Sequence, residues 1–189
     1  MIIGIGHRKR VGKDALALIL SDKLRQRHKG AVYIDKFAGH LRDTVDFMFS
    51  EIDGFPTLAN IENELVDKDT VLPVYNKTIR DIYIATAAFI RSINPNALSA
   101  PVFDYYKDNA ADNPLCIIAD VRLKSEVDEI RRRNGKLIRV DRITMYPSDH
   151  VDDELQNYDS WDAVIDNNGS LADLEKQADR LMEGGFFAV

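Results

Sequence analysis

The chain has 189 residues, 45% hydrophobic and 30% charged, which suits one folded domain or a domain with an inserted lobe. Twenty-five Lys and Arg against 31 Asp and Glu give a net charge of −6, which argues against a broad nucleic-acid coat but permits a local phosphate patch. The single cysteine, Cys116, excludes a disulfide framework and a multi-cysteine zinc site. No apolar run approaches the ~20 residues of a membrane helix. The opening MIIGIGHRKR also places its charges after the apolar run, the reverse of a secretory signal, so a cytoplasmic enzyme or binding protein is expected.

In chain order, residues 2–5 form an apolar, β-branched run ending in glycine, the pattern of a buried strand. Residues 14–28 carry Ala15, Leu16, Leu18, Ile19, Leu20 and Leu24 at helical spacing, and Gly30 breaks the pattern. Residues 31–34 read as a second strand. Leu41, Val45, Phe47, Met48 and Ile52 fit a second helix that stops near Gly54-Phe55-Pro56. The stretch 56–76 is polar and weakly periodic, and reads as a mobile or inserted region. Residues 78–93 form a helix closed by Asn94-Pro95-Asn96. Residues 97–114 read as loop. Three strands follow: one at 115–119 with a helix at 124–133, one at 136–140 after Asn134-Gly135, and, past a polar loop at 142–160, one at 161–165. A helix capped by Ser170 then runs to about Met182.

This alternation predicts a doubly wound α/β fold, a parallel five-stranded sheet with helices on both faces. Ligands of such sheets bind outside the carboxyl ends of the strands. The shortlist is therefore Gly6 to Asp14, Asp35-Lys36-Phe37, Asp120-Val121-Arg122, Asp141-Arg142 and Asp166-Asn167-Asn168.

The strongest signal is Gly6-His7-Arg8-Lys9-Arg10-Val11-Gly12-Lys13-Asp14. A phosphate loop needs small residues so that backbone N–H groups can turn toward an anion, and a helix whose N-terminus favours negative charge. Lys13 is the cation that reaches the outer phosphates. The match to G-x-x-x-x-G-K-Ser/Thr is imperfect: His7 holds the first-glycine position, Gly6 sits one residue earlier, and Asp14 replaces the hydroxyl residue. A carboxylate at Asp14 can still serve Mg²⁺, which prefers hard oxygen ligands. Arg8, Lys9 and Arg10 each have a solvated reading beside the ligand reading.

These residues resemble the variant phosphate loop of bacteriophage deoxynucleoside monophosphate kinases, where Gly-Lys-Asp is usual. The likeness continues through Asp35-Lys36-Phe37-Ala38, Leu41-Arg42, Thr78-Ile79-Arg80, Asp120-Val121-Arg122 with Glu126, Arg139 to Arg142, His150 to Glu154, and Asp162 to Leu174. Phosphomevalonate kinase has a similar Gly-Lys-Asp loop, so the loop alone does not choose between families. The resemblance implies one phosphate-loop nucleoside monophosphate kinase-like domain over 1–189, with an acceptor-binding insertion at about 55–113 and a lid-like segment at about 142–160. It also implies ATP and Mg²⁺ as cofactors, a small nucleotide as acceptor, no membrane, no nucleic-acid partner and a homodimer as one option.

On the same resemblance, Gly6 to Ala15 hold the ATP phosphates, with Asn167, Asn168 and Gly169 bordering the donor adenine. Asp14 and Asp120 organise the metal. Asp35, Lys36, Phe37, Arg42, Arg80 and, more weakly, Arg91 serve the acceptor. Lys13, Arg122 and Arg142 stabilise the transferred phosphoryl charge. Phe103, Tyr105 and Tyr106 are open to a base-pocket or a core role, and Cys116 reads as a small buried hydrophobe. Ala15 stands where the family commonly has Thr, and the helix after Arg80 lacks the family's glutamine and glycine, so the preferred base stays open. Two other readings are a kinase acting on hydroxymethylated bases in phage DNA, which needs a basic channel, and a nucleotide-binding protein without turnover.

Overall fold

The structure is a computed structural model that describes residues 1–63, 65–108, 114–143 and 154–187. In order it contains β1 (Ile2–Gly6), α1 (Lys13–Arg25), β2 (Val32–Asp35), α2 (Phe37–Phe49), α3 (Leu58–Glu62), β3 (Val71–Leu72), β4 (Lys77–Thr78), α4 (Ile79–Ile93) and α5 (Ala100–Asp108). There follow β5 (Leu115–Val121), α6 (Lys124–Arg132), β6 (Lys136–Asp141), β7 (Ala163–Asp166) and α7 (Leu171–Glu183). The chain forms two compact units, one from Met1–Lys36 with Phe103–Val189 and the other from Phe37–Val102.

The first unit is built on a five-stranded sheet in the order β2-β5-β1-β6-β7, and every neighbouring pair is parallel. Parallel strands covered on both faces read as continuous apolar runs, which is why the strands stand out in the sequence. One face carries Ile3, Ile5, Ile117, Ala119, Ile138 and Val140, and closes a core with Leu16, Ala17, Leu20 and Leu24 of α1 and Leu174 and Ala178 of α7. Alternate residues point to the opposite face, where α6 packs on β1 and β6. A Cβ at Gly4 would lie 2.6 Å from Ile130 Cδ1 and 2.9 Å from Leu137 Cδ2, so glycine there is what lets α6 approach the sheet. The doubly wound α/β fold expected from the sequence is the fold observed.

The second unit packs α2 against α4, with α3 and the β3–β4 hairpin alongside. Leu41, Val45, Ile61, Leu72, Ile79 and Ile82 lie in its core, and Phe49, Phe55 and Tyr75 form an aromatic trio. Thr78 and Asp81 cap α4 reciprocally, the side chain of each bonding the other's backbone N–H.

Several local expectations are corrected. The stretch 97–114, read as loop, contains α5: Pro101 sits in its first turn, where a missing N–H costs nothing, and Val102 and Phe103 are buried. The stretch 56–76 holds α3, begun by a Thr57 cap that accepts from Asn60 N–H at 3.3 Å, and most of the hairpin. The second helix starts at Phe37 and ends at Phe49, earlier than its apolar spacing suggested. The last strand begins at Ala163 rather than at Trp161, whose indole N–H instead donates to Tyr158 O at 2.8 Å. Much of the lid-like segment, including His150, lies outside the described residues. Among the described residues no helix is long and apolar enough to cross a membrane.

Candidate functional site

The centre of the site is the crossover from β1 to α1. Gly6 pairs with Val121 of β5 and Arg139 of β6, so the loop that follows emerges between the carboxyl ends of two neighbouring strands. That loop turns through three left-handed residues, His7 (φ 93°), Arg10 (φ 58°) and Gly12 (φ 95°). Gly12 is the N-cap of α1, and its carbonyl accepts from Leu16 N–H at 3.0 Å. Val11 beside it is buried, and its carbonyl accepts from Asn167 Nδ2 at 2.7 Å. The turn after β7 is thus bonded to the end of the loop between β1 and α1. A Cβ at Gly12 would overlap Asn167 Nδ2, so only glycine satisfies both the backbone angle and this contact.

Lys13 is 6% exposed and folds back along the loop. Its Nζ donates to His7 O at 3.0 Å and to Arg8 O. These contacts tie the ammonium back to the loop that precedes α1.

Carboxylates and cations surround this loop. Asp14, in the first turn of α1, places Oδ1 2.7 Å from Lys36 Nζ at the end of β2. Asp35 is used internally: Oδ1 accepts from Lys36 N–H at 2.6 Å and Oδ2 from Tyr106 O–H at 2.9 Å. The phenol of Tyr106 is pushed well above its ordinary range, by burial first and then by Cys116 and the Asp35 charge. Burial likewise pushes the Cys116 thiol up to about 12, as expected of a small hydrophobe inside β5. Asp120 lies near the carboxyl end of β5, one residue before the partner of Gly6. The buried Glu126 accepts Arg122 N–H at 2.8 Å and Leu123 N–H at 3.1 Å through Oε2, fixing the backbone that carries Arg122.

On the β6 side, a cleft of about 580 Å³ is lined by His7, Arg8, Arg139, Asp141, Arg142 and Asn168, among others. Asp141 Oδ1 accepts from Arg139 Nε at 2.7 Å and lies 3.0 Å from His7 Nδ1, a contact too poorly aligned to be a hydrogen bond. His7 is 5% exposed, and neither of its ring nitrogens has a hydrogen-bond partner. Arg8 Nε is likewise buried without one. Burial is the main cause that lowers the imidazole pKa, and Arg139 adds to it while Asp141 opposes. Asn168 is oriented by Ile143 N–H, which donates to its Oδ1 at 2.7 Å.

The first unit therefore gathers Gly6 to Ala15, Asp35, Lys36, Asp120, Arg122, Arg142 and Asn167 to Gly169 at one sheet edge. Phe37, Arg42, Arg80 and Arg91 belong to the second unit. There Phe37 is buried, Arg42 NH1 lies 3.6 Å from Glu62 Oε1, and Arg80 is gripped through two nitrogens by Asp69. Phe103 is core, with the Arg133 guanidinium 4.2 Å over its ring. The sequence names Tyr106, Glu126, Asp141 and Asn167, but only contacts between distant segments show what each side chain does.

The residues present fit a nucleotide polyphosphate and its metal. Arg8 Nε is a buried donor without a partner, and Lys13 Nζ lies along the same loop. Among the described residues there is no group of three or more metal-ligating side chains. None is required, since Mg²⁺ at a nucleotide is commonly held by phosphates with one or two carboxylates, the part Asp14 and Asp120 could take.

No protein-family model matches the chain, and no curated protein matches it. Among solved structures it is similar to a shikimate kinase from Aquifex aeolicus vf5, with 12% identity, a TM-score of 0.47 and complete coverage of both chains. A likeness this loose fixes no activity.

Proposed function

We propose that this chain transfers the γ-phosphoryl group of ATP to a deoxynucleoside monophosphate. The observation that carries the proposal is the buried Lys13 at a strand–loop–helix junction, behind a left-handed Gly12 and next to the strand that bears Asp120. The choice of acceptor rests on the sequence resemblance to phage deoxynucleoside monophosphate kinases.

Phosphoryl transfer asks a protein for positioning and charge neutralisation more than for covalent chemistry. On this reading Lys13 and the loop amides hold the β- and γ-phosphates, and the three loop cations, Arg8, Lys9 and Arg10, surround them. Asp14 and Asp120 would hold Mg²⁺, which would supply neutralisation of the phosphate charge. Lys36 pairs with Asp14 at 2.7 Å, and Asp35 keeps the Lys36 backbone in register through its bond to the N–H. Arg122 and Arg142 meet the charge that develops on the transferred group, and Arg42, Arg80 and Arg91 bind the acceptor. Asn167, Asn168 and Gly169 border the donor base.

A coupled ADP-release assay over a panel of deoxynucleoside and nucleoside monophosphates tests the proposal, with Lys13→Met as the control. Turnover with one or more deoxynucleotides, lost in the variant, supports it. ATP binding without turnover on any acceptor replaces it with a nucleotide-binding protein. Turnover that survives in Lys13→Met removes the site assignment.

A further inference from the structure

We infer that His7 is a proton-taking positioning residue of the donor site, an imidazole that becomes charged when a polyanionic nucleotide enters the cleft beside Asp141. The inference rests on the donor-site reading above and adds to it a linkage between nucleotide binding and pH.

Three observations carry it. First, the ring is 5% exposed, and neither nitrogen makes a well-aligned hydrogen bond: Asp141 Oδ1 lies 3.0 Å from Nδ1, the Val140 carbonyl is its backbone neighbour, and the ring lines an open cleft. A polar group left in that state is costly unless a ligand completes it. Second, the position is one that a phosphate loop ordinarily gives to glycine, and His7 holds it at φ 93°, a backbone region unfavourable to a ring-bearing side chain. Third, the surrounding charges are poised on both sides. Arg8 from the same loop and Arg139 from β6 oppose a charge on the ring, Asp141 from β6 favours it, and Arg142 shares the cleft. Asp141 Oδ1 lies 3.0 Å from Nδ1 but already accepts from Arg139, so its pull alone is divided.

The ligand-free balance keeps the imidazole neutral near pH 7, because burial and the guanidiniums lower its pKa. Phosphate oxygens delivered to Arg8, Arg139 and Arg142 offset those guanidinium charges, and the same ring can then bind a proton. It would donate one N–H toward Asp141 and the other toward the ligand. Between the free and bound pKa values, binding draws a proton from solvent, and affinity for ATP falls as pH rises, by at most about tenfold per pH unit.

Titration calorimetry of the full chain with ATP and Mg²⁺, run at pH 7 in buffers of different ionisation enthalpy, measures this uptake. His7→Gly is the first variant, since glycine accepts the left-handed backbone, and it corrects for protons exchanged by ATP itself. The expected result is net uptake by the wild type in excess of His7→Gly, with the pH dependence of ATP affinity flattened in the variant. Asp141→Asn is expected to move the pH of maximal uptake downward, a change that a purely structural role would not produce. Equal uptake in wild type and His7→Gly, with ATP bound by both, overturns the inference and leaves the donor site standing. Failure of the wild type to bind ATP at any pH between about 6 and 8.5, a window around the ordinary imidazole value, overturns the donor site and the inference together.

Discussion

Gly12→Ala tests the junction on which the site is built. Alanine would have to sit at φ 95°, which costs a residue with a Cβ about 1–2 kcal/mol. Its methyl would also overlap Asn167 Nδ2 and approach Cγ at 3.4 Å, so the amide must leave Val11 O, its 2.7 Å partner. Unmaking that bond at a buried carbonyl costs about 1–3 kcal/mol. The sum is a destabilisation of about 2–5 kcal/mol. Trp161 is the sole tryptophan, and its ring sits where a Cβ on Gly6 would approach it at 2.8 Å, so its fluorescence during guanidinium unfolding reports on this unit. The companion variant Asn167→Ala loses the hydrogen bond but removes the object of the clash. The double variant should therefore be less than additive, by about 1–2 kcal/mol. A Gly12→Ala protein destabilised by less than about 1 kcal/mol, or a strictly additive pair, would refute the clamp between the two loops.

Three further outcomes are expected. Lys13→Met should lower kcat/KM in the ADP-release assay by about 10²–10³-fold, the usual cost of one preorganised charge contact to a transition state, with far-ultraviolet circular dichroism unchanged. Tyr106→Phe leaves Asp35 Oδ2 without its 2.9 Å donor and should destabilise the first unit by about 1–3 kcal/mol in denaturant unfolding. Asp173 caps α7 through Ser170, and those hydrogen bonds, first among its causes, hold its carboxyl down at about 2 against an ordinary 3.8. A depressed carboxyl contributes stability above its unfolded pKa and loses it as pH falls through the folded value. Asp173→Asn should accordingly flatten the stability profile between about pH 4 and 2, as followed by acid titration of Trp161 fluorescence.

The sheet was legible because burial on both faces writes the central strands as largely apolar runs: Ile2 to Ile5 and Leu115 to Ala119 needed no partner to be recognised, and Leu137, Ile138 and Val140 mark β6 in spite of Lys136 and Arg139. The strand–loop–helix junction from Gly6 to Lys13 was legible too, since its pattern lies in consecutive residues, with the glycines at 6 and 12 on either side of the turn. The capped starts of α4 and α7 were equally local, each fixed by a Thr or Ser with an Asp three residues on. By contrast α5 escaped notice because Pro101 and the polar residues around it punctuate like a loop, while its buried side chains answer to neighbours distant in sequence.

Side-chain roles divide along the same line. Sequence alone marked Asp35, Asp120, Asp141 and Arg122 as residues just past strands, but contacts between separate segments decide what each one does. Asp35 is spent on Lys36 and Tyr106, and Asp141 is shared by Arg139 and His7. Asn167, 156 positions from Val11, ties the two loops together. The alternation of strand and helix and the composition of the loop are short-range properties, fixed by polarity and chirality. The surroundings of the buried His7 imidazole exist only once β1 and β6 lie side by side, because sheet register, and no local pattern, brings Asp141 and Arg139 to the ring.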